Sequence, residues 1–247
     1  MAFKHLEEAV VDLPNQELAQ YMQIFEGLRE PTKTVLGYTL DIAAYLKKVK
    51  LNDDYAVFGG YAVLSHLMNI LGPQVALLWR GSKDIDMAGT MRVLGALKAV
   101  YSVTNDSVSP NVADKRTVKL VEDHEKACKI DFYYGNCQDR FAEPEINYHF
   151  GIPLRVITPL KIIRGKLNTP REELVHSTDI LRMLAVLERR DVSPEYISHQ
   201  FTADQKDNLL ARVQAGHESS GDRLDFVPSQ TYERKLGKYL KQGKHIV

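Results

Sequence analysis

The stretch that decides the fold is "LLWRGSKDIDMAG", residues 77–89, in which two aspartates stand on either side of an isoleucine. Side chains two residues apart on a β-strand project from the same face of the sheet. We therefore expect Asp84 and Asp86 to lie together, with Ile85 buried on the opposite face. Two carboxylates this close repel one another unless a cation compensates, and a hard divalent ion is the usual one. A solvated polar strand face is the alternative when these two residues are taken alone.

A third carboxylate stands in "KIDFYY", residues 129–134. Asp131 interrupts an otherwise apolar strand pattern, where an unpaired charge would cost several kcal/mol on burial. If this strand lies beside the strand of Asp84 and Asp86, the three acids converge as they do in two-metal sites for phosphoryl and nucleotidyl transfer. Protection of an edge strand is the alternative reading of Asp131 alone.

The segment "VFGGYAVLSHL", residues 57–67, predicts a strand that delivers the chain to Gly59 and Gly60, after which a helix begins. Glycines let the backbone approach a ligand closely, and a helix N-terminus offers free N–H groups to phosphate. A Gly-Gly pair alone is a weak signal, because most such pairs are turns. His66, on this helix, is expected to be a packed, hydrogen-bonded histidine rather than a ligand.

These segments together resemble the nucleotidyltransferase superfamily with the DNA polymerase β-type catalytic core. Its pattern is Gly-Gly or Gly-Ser, then Asp-x-Asp, then a third aspartate on a later strand. The gap of 24 residues from Gly60 to Asp84 departs from the short spacing of the minimal enzymes. The form Gly-Gly…His…Arg-x-Ser/Thr-x-Asp-Ile-Asp is more similar to the AbiEii and MenT toxin-type nucleotidyltransferases. "TPLKIIRGKL" (158–167) and "REELVHSTDILRML" (171–184) resemble the C-terminal Lys/Asp segment of that group.

The resemblance implies a site and its ligands. The implied catalytic residues, which would also hold Mg²⁺ or Mn²⁺, are Asp84, Asp86 and Asp131. The implied nucleotide-binding residues are Gly59, Gly60, Arg80, Ser82, Lys161, Lys166 and Asp179. An NTP would be the co-substrate, and pyrophosphate would leave. An ion pair with Arg182, three residues along a helix, is the alternative role for Asp179.

The bulk composition fits an ordinary globular chain. There are 247 residues, with 32 basic and 32 acidic side chains, so no overall positive field points to nucleic acid. We expect no signal peptide and no membrane span, and a cytoplasmic location. The predicted fold class is α+β. A nucleotidyltransferase-type mixed sheet core over residues 51–158 would be flanked by helical regions over residues 1–50 and 159–247.

The acceptor of the nucleotide is the open question. The resemblance suggests RNA, at a tRNA 3′ end, in a toxin or defence setting with a cognate antitoxin protein. The C-terminal "YERKLGKYLKQGKHIV" (232–247) is either a solvated basic helix face or a contact for an RNA backbone through its lysines, Tyr232 and Tyr239. Alternative acceptors are a small hydroxylated molecule, with residues 143–150 as a pocket wall, and a protein side chain. A non-catalytic nucleotide-binding module is the alternative of another class.

Overall fold

The structure is a computed structural model that describes residues 3–79, 81–82, 84–108, 115–122, 126–134, 143–169, 174–218 and 226–242. The chain forms two compact units, residues 1–157 and residues 158–247. The first unit begins with three helices, α1 (Lys4–Val10), α2 (Asn15–Gly27) and α3 (Thr32–Lys48). Nearly all of α3 is buried, from Thr34 through Leu46.

The rest of the first unit alternates strands with helices. Its strands are β1 (Tyr55–Phe58), β2 (Asp84–Gly89), β3 (Ser102–Val108), β4 (Lys115–Glu122), β5 (Lys126–Tyr133), β6 (Glu145–His149) and β7 (Ile152–Val156). Its helices are α4 (Gly59–Leu71), a short 3₁₀ helix (Pro73–Leu78) and α5 (Met91–Val100). Gly72, with φ +88°, ends α4, and the Thr90 hydroxyl caps α5 by accepting from the Val93 amide.

All seven strands form one mixed sheet in the order β3-β4-β5-β2-β1-β7-β6. The pairs β2–β5 and β1–β7 are parallel, and the other neighbours are antiparallel. β4 and β5 form an antiparallel hairpin, and the predicted mixed α+β fold class is confirmed. The parallel pairing of β2 with β5 decides the site, because it joins the two aspartate-bearing strands directly.

The second unit is helical. It contains α6 (Pro159–Leu167), α7 (Leu174–Arg189), α8 (Pro194–His199), α9 (Ala203–Glu218) and α10 (Gln230–Lys241). Pro159 occupies the first turn of α6, and the Thr158 hydroxyl caps it. The apolar stripe of α7 is buried, as its spacing predicts. None of the helices in the described ranges is long and apolar enough to cross a membrane.

The sequence did not predict two of the strands, β3 and β6. β3 contains the polar run Asn105-Asp106, which is typical of a turn, and its pairing with β4 shifts register between Thr104 and Ser107. β6 lies within residues 143–150, which the sequence suggested only as a pocket wall. Its outward residues Ile146 and Tyr148 are exposed, while Asn147 and His149 are buried. The buried face of β6 is therefore the polar one, the reverse of what hydrophobic alternation predicts.

Candidate active site

The register of β2 and β5 brings the sequence-predicted carboxylates together. Asp86 lies directly opposite Asp131, and Asp84 lies opposite Lys129. Because the strands are parallel and in register, all four residues lie on the same face of the sheet. Ile85, between the two aspartates of β2, is fully buried on the other face.

A lysine lies between two of the carboxylates. The Lys129 ammonium is 3.0 Å from the Asp131 carboxylate and 3.4 Å from that of Asp84. Asp131 is 5% exposed, whereas the Asp84 side chain is about one-third exposed. Burial lowers the pKa of Lys129, but its hydrogen bonds and charge interactions with Asp131 and Asp84 outweigh burial, so the pKa is raised. Lys129 therefore stays protonated and neutralises part of the negative charge of this face.

The Asp86 carboxylate lies against the start of α4. A Cβ placed on Gly59 would come within 1.9 Å of the Asp86 Oδ2 atom, so only glycine fits there. Gly59 also has φ +66°, a conformation that glycine adopts without strain. Phe58, the residue before α4, offers no side-chain cap, and the first turn carries no acidic side chain. The amides of Gly59 and Gly60 therefore open α4 beside a carboxylate, without a side-chain cap from Phe58.

An aromatic pair adjoins the carboxylates on this face. Phe58 is opposite Asp86 across β1 and β2, and Tyr133 follows Asp131 by two residues on β5. Their rings meet edge to face with centroids 5.1 Å apart. On β2, Ala88 lies opposite Tyr133 and Asp86 lies opposite Phe58. The pair forms an apolar wall beside Asp86 and Asp131 on this face.

The loop before β2 is only partly described. Gly81 has φ +91° and lies close to the start of α3, near the Thr32 hydroxyl. The Ser82 hydroxyl donates to the Asp84 carbonyl at 3.0 Å, which fixes the chain as it enters β2. Arg80, predicted to bind phosphate, lies outside the described residues.

The three remaining predicted residues belong to the second unit. The Lys166 ammonium is 2.7 Å from the Asp179 carboxylate, and both residues are buried. Asp179 also approaches Arg182 at 3.6 Å, the ion pair that the sequence offered as its alternative role. Lys161 is half-buried near the N-terminus of α6. Lys166 and Asp179 thus form a buried pair within the helical unit, which accounts for both charges without a ligand.

A buried polar network supports α4 from the side of β6. The Ser65 hydroxyl lies 2.7 Å from His149 Nε2, and the Asn147 amide donates to Ser65 at 3.0 Å. His66 Nε2 is 2.9 Å from the Ile157 carbonyl. Burial, and to a smaller extent the charge of His66, lower the pKa of His149 to about 4, so His149 is neutral at pH 7. His66 is therefore packed and hydrogen-bonded, as the sequence suggested.

The sequence-based reading did not identify Lys129, Phe58 or Tyr133 as part of this site. The signal for Lys129 and Tyr133 was available, because residues two before and two after Asp131 share its strand face. The signal for Phe58 was its position directly before Gly59-Gly60. No comparable signal marks the Asn147–His149 side of the network, because it depends on a pairing distant in sequence.

The carboxylates are not assembled as a finished metal site. In the described part of the chain, no three His, Cys, Asp or Glu side chains stand close enough together to hold a metal ion. Asp84 and Asp131 share the Lys129 ammonium, while Asp86 points to Gly59. Even so, Asp84 and Asp131 already hold the positive charge of Lys129 between them. A divalent cation at the same place would neutralise the same two carboxylates.

Comparison with known proteins does not identify a family. No protein-family model matches the chain, and no curated protein matches it. One solved structure that is similar is that of an antigenic nucleotidyltransferase-like protein from Paracoccidioides brasiliensis, at 15% sequence identity and a TM-score of 0.46. The similarity covers 80% of this chain and 95% of the other. A likeness of this size carries no argument about function, which is therefore argued from the site.

Proposed function

We propose that this chain is a metal-dependent nucleotidyltransferase, which moves a nucleotide from an NTP to an acceptor hydroxyl and releases pyrophosphate. One observation carries the proposal. The parallel register sets Asp86 beside Asp131, with Asp84 on the same face and Gly59 at the adjoining helix start. Three carboxylates can hold divalent metal ions, and a helix that begins with glycines can bind the phosphates of the same nucleotide.

The residues fit a divalent cation on two conditions. Asp84, Asp86 and Asp131 would hold Mg²⁺ or Mn²⁺ only if the Lys129 ammonium withdrew from between Asp84 and Asp131, and if the Asp86 carboxylate turned from Gly59 towards the other two. Lys129 has 45% of its side chain exposed, so solvent is open to it. A bound divalent ion supplies charge neutralisation on the triphosphate and lowers the pKa of the attacking hydroxyl.

The chain's own residues supply the remaining tasks. The Gly59 and Gly60 amides would bind phosphate oxygens at the positive end of the α4 dipole. The Phe58–Tyr133 wall would exclude water from the reacting phosphorus, which favours transfer to the acceptor over hydrolysis. The nucleotide-binding roles of Arg80, Ser82, Lys161, Lys166 and Asp179 remain proposals. Ser82 can take that role only by giving up its bond to the Asp84 carbonyl.

The acceptor that we propose is RNA at a tRNA 3′ end, in a toxin or defence role with a cognate antitoxin protein. The structure adds no support for a small-molecule acceptor. Its suggested pocket wall, residues 143–150, contains β6, which lies at the sheet edge and is separated from β2 by β1 and β7. Three strand spacings place β6 about 14 Å from β2. Protein nucleotidylation and a non-catalytic nucleotide-binding module are outcomes that the experiment below separates.

The test is label transfer from each of the four α-³²P-labelled NTPs to total tRNA in Mg²⁺ or Mn²⁺. We expect labelled RNA with the unchanged protein and a loss of at least 100-fold with Asp86→Asn. Asp53→Asn is the matched control, because Asp53 is exposed and its ion pair among the described residues is with Arg155. Labelled protein without labelled RNA would point to a protein acceptor, and no transfer to either would refute the proposed reaction.

A further inference from the structure

The last described helix, α10, divides sharply into a buried and an exposed side. Tyr232, Leu236 and Leu240 are buried, at the three- and four-residue spacing of one helix face. The exposed side carries four cations, Arg234, Lys235, Lys238 and Lys241. These positions also recur at three- and four-residue spacing, so the four charges lie on one outward face. We call these four residues the α10 basic face.

Within the described residues, no acidic side chain is paired with the α10 basic face. None of its four side chains forms a hydrogen bond or an ion pair with any described part of the chain. The one acidic residue of the helix, Glu233, is bound to His217 at 2.8 Å. Other lysines are neutralised, as with Lys129 by Asp131 and Lys166 by Asp179. In a chain of zero net charge, four unneutralised cations within eight residues form a strong local positive field.

The helix is held firmly within the second unit. Ser229 caps its N-terminus by accepting from the Tyr232 amide, and the Glu188 carboxylate in turn accepts from the Ser229 amide at 2.7 Å. Near the other end, the Ser198 hydroxyl donates to the Tyr239 carbonyl at 3.1 Å. The four cations are therefore presented by a fixed helix, which lowers the ordering cost of binding a ligand.

The spacing and composition of this face favour a nucleic-acid backbone. Arg234 and Lys241 are about 10 Å apart along the helix axis, the length over which one strand carries about three phosphates. Tyr239 is half-exposed at the border of the face, where it can stack on a base. Tyr232, which the sequence offered as a second contact, is buried and donates its hydroxyl to the Val192 carbonyl.

A membrane surface fits this helix less well. An interfacial helix needs a free apolar face to enter the lipid headgroup region. The apolar residues of α10 are already buried within the helical unit. Adsorption to anionic lipid through charge alone is therefore the competing outcome that the test must separate.

We infer that the α10 basic face is an RNA-binding surface, which contacts the phosphate backbone of the acceptor RNA. The inference rests on the proposed function for its choice of RNA as the physiological partner. Binding itself requires neither NTP nor metal and can be measured alone. Such contacts are independent of sequence, so they would position an RNA without selecting it.

The test measures binding of fluorescein-labelled tRNA to the full chain by anisotropy, without NTP, at several salt concentrations. The variant replaces Arg234, Lys235, Lys238 and Lys241 with Gln. We expect its affinity at about 100 mM salt to fall at least ten-fold, and the slope of log K against log salt to become shallower by about 3, since each lost phosphate contact contributes about 0.7–0.9. Circular dichroism and thermal melting should match the unchanged protein, because all four side chains are exposed.

The matched control removes four exposed cations from the first unit, by changing Lys4, Lys47, Lys50 and Arg92 to Gln. It alters net charge equally, so we expect it to keep most of the affinity. Equal RNA affinity of the α10 variant and the unchanged protein would overturn the inference, even if nucleotide transfer persists. Loss of binding to phosphatidylserine vesicles, with RNA binding unchanged, would overturn it as well. Loss of RNA binding in a chain that transfers no nucleotide would support this surface and refute the reaction.

Discussion

At the scale of single residues, the structure has no room at Gly59 for the methyl group that an alanine would add. The Cβ of an alanine would lie 1.9 Å from Asp86 Oδ2 and would force φ +66° on a residue that avoids it. We predict that Gly59→Ala destabilises the chain by more than about 2 kcal/mol, or displaces the Asp86 carboxylate and abolishes nucleotide binding. Urea unfolding and nucleotide titration measure the two effects.

Gly95 provides the matched control for Gly59. It lies in α5, and a Cβ there would meet no atom within 4 Å. Gly95→Ala should therefore stabilise the chain by about 0.5–1 kcal/mol, because alanine loses less backbone entropy in a helix. Equal effects of the two substitutions would mean that Gly59 and Asp86 do not pack as described.

Lys129 offers the second residue-scale prediction. Its ammonium occupies the space between Asp84 and Asp131 that a divalent cation would need. Two unit charges about 4 Å apart interact by about 1 kcal/mol in water and more near a protein surface. We therefore predict that Lys129→Met tightens Mn²⁺ binding at least about five-fold, measured by electron paramagnetic resonance, and lowers the melting temperature of the metal-free protein.

The control for Lys129 is Lys48→Met. Lys48 is an exposed lysine that pairs with Glu8 at 3.0 Å, away from the carboxylate face. It should leave Mn²⁺ affinity unchanged. Weaker Mn²⁺ binding by Lys129→Met would show instead that Lys129 helps to hold the bound state.

At the scale of elements, the contact of α4 with β6 depends on a neutral histidine. The pKa of His149 is about 4 in the folded chain, against an ordinary value of about 6.5. Between these values the unfolded chain binds a proton that the folded chain does not, so stability falls as pH falls from 6.5 towards 4. We predict a loss of about 3 kcal/mol from this group over that range.

Urea unfolding at pH 6.5 and pH 4 measures this loss. His149→Gln keeps a polar group beside Ser65 but cannot titrate, so its loss of stability should be smaller by about the same 3 kcal/mol. His199→Gln is the control, since His199 is exposed. Parallel pH dependence of His149→Gln and the unchanged protein would contradict the assignment of a neutral, buried His149.

The elements that the sequence predicted are those with local signals. Gly59-Gly60 marks the end of β1 and the start of α4, and Gly72-Pro73 marks the end of α4. The Thr90 cap marks the start of α5. The strands β3 and β6 have no such signal, because each is stabilised by a partner strand. The buried Asn147 and His149 satisfy Ser65 and His66 on α4, and no periodicity in β6 alone shows that demand.

At the scale of the whole molecule, the sequence placed the three aspartates on two strands but could not establish that those strands pair. Only the crossover from β2 to β5, with α5, β3 and β4 between them, creates the parallel register of Asp86 and Asp131. In the second unit, a spacing in the sequence suggested a phosphate-binding segment where the structure has a buried ion pair. Lys166 and Asp179 have the spacing that resembled a phosphate-binding segment, yet they neutralise each other in a helical core.

The central claim is that the carboxylate face of β2 and β5 binds a metal-bound nucleoside triphosphate. Isothermal titration with non-hydrolysable ATP and GTP analogues, with and without Mg²⁺, tests it most directly. The account predicts Mg²⁺-dependent binding of at least one analogue, weakened at least ten-fold by Asp84→Asn with Asp86→Asn and unchanged by Asp53→Asn. Equal binding by the double variant and the unchanged protein, or binding indifferent to Mg²⁺, would contradict it.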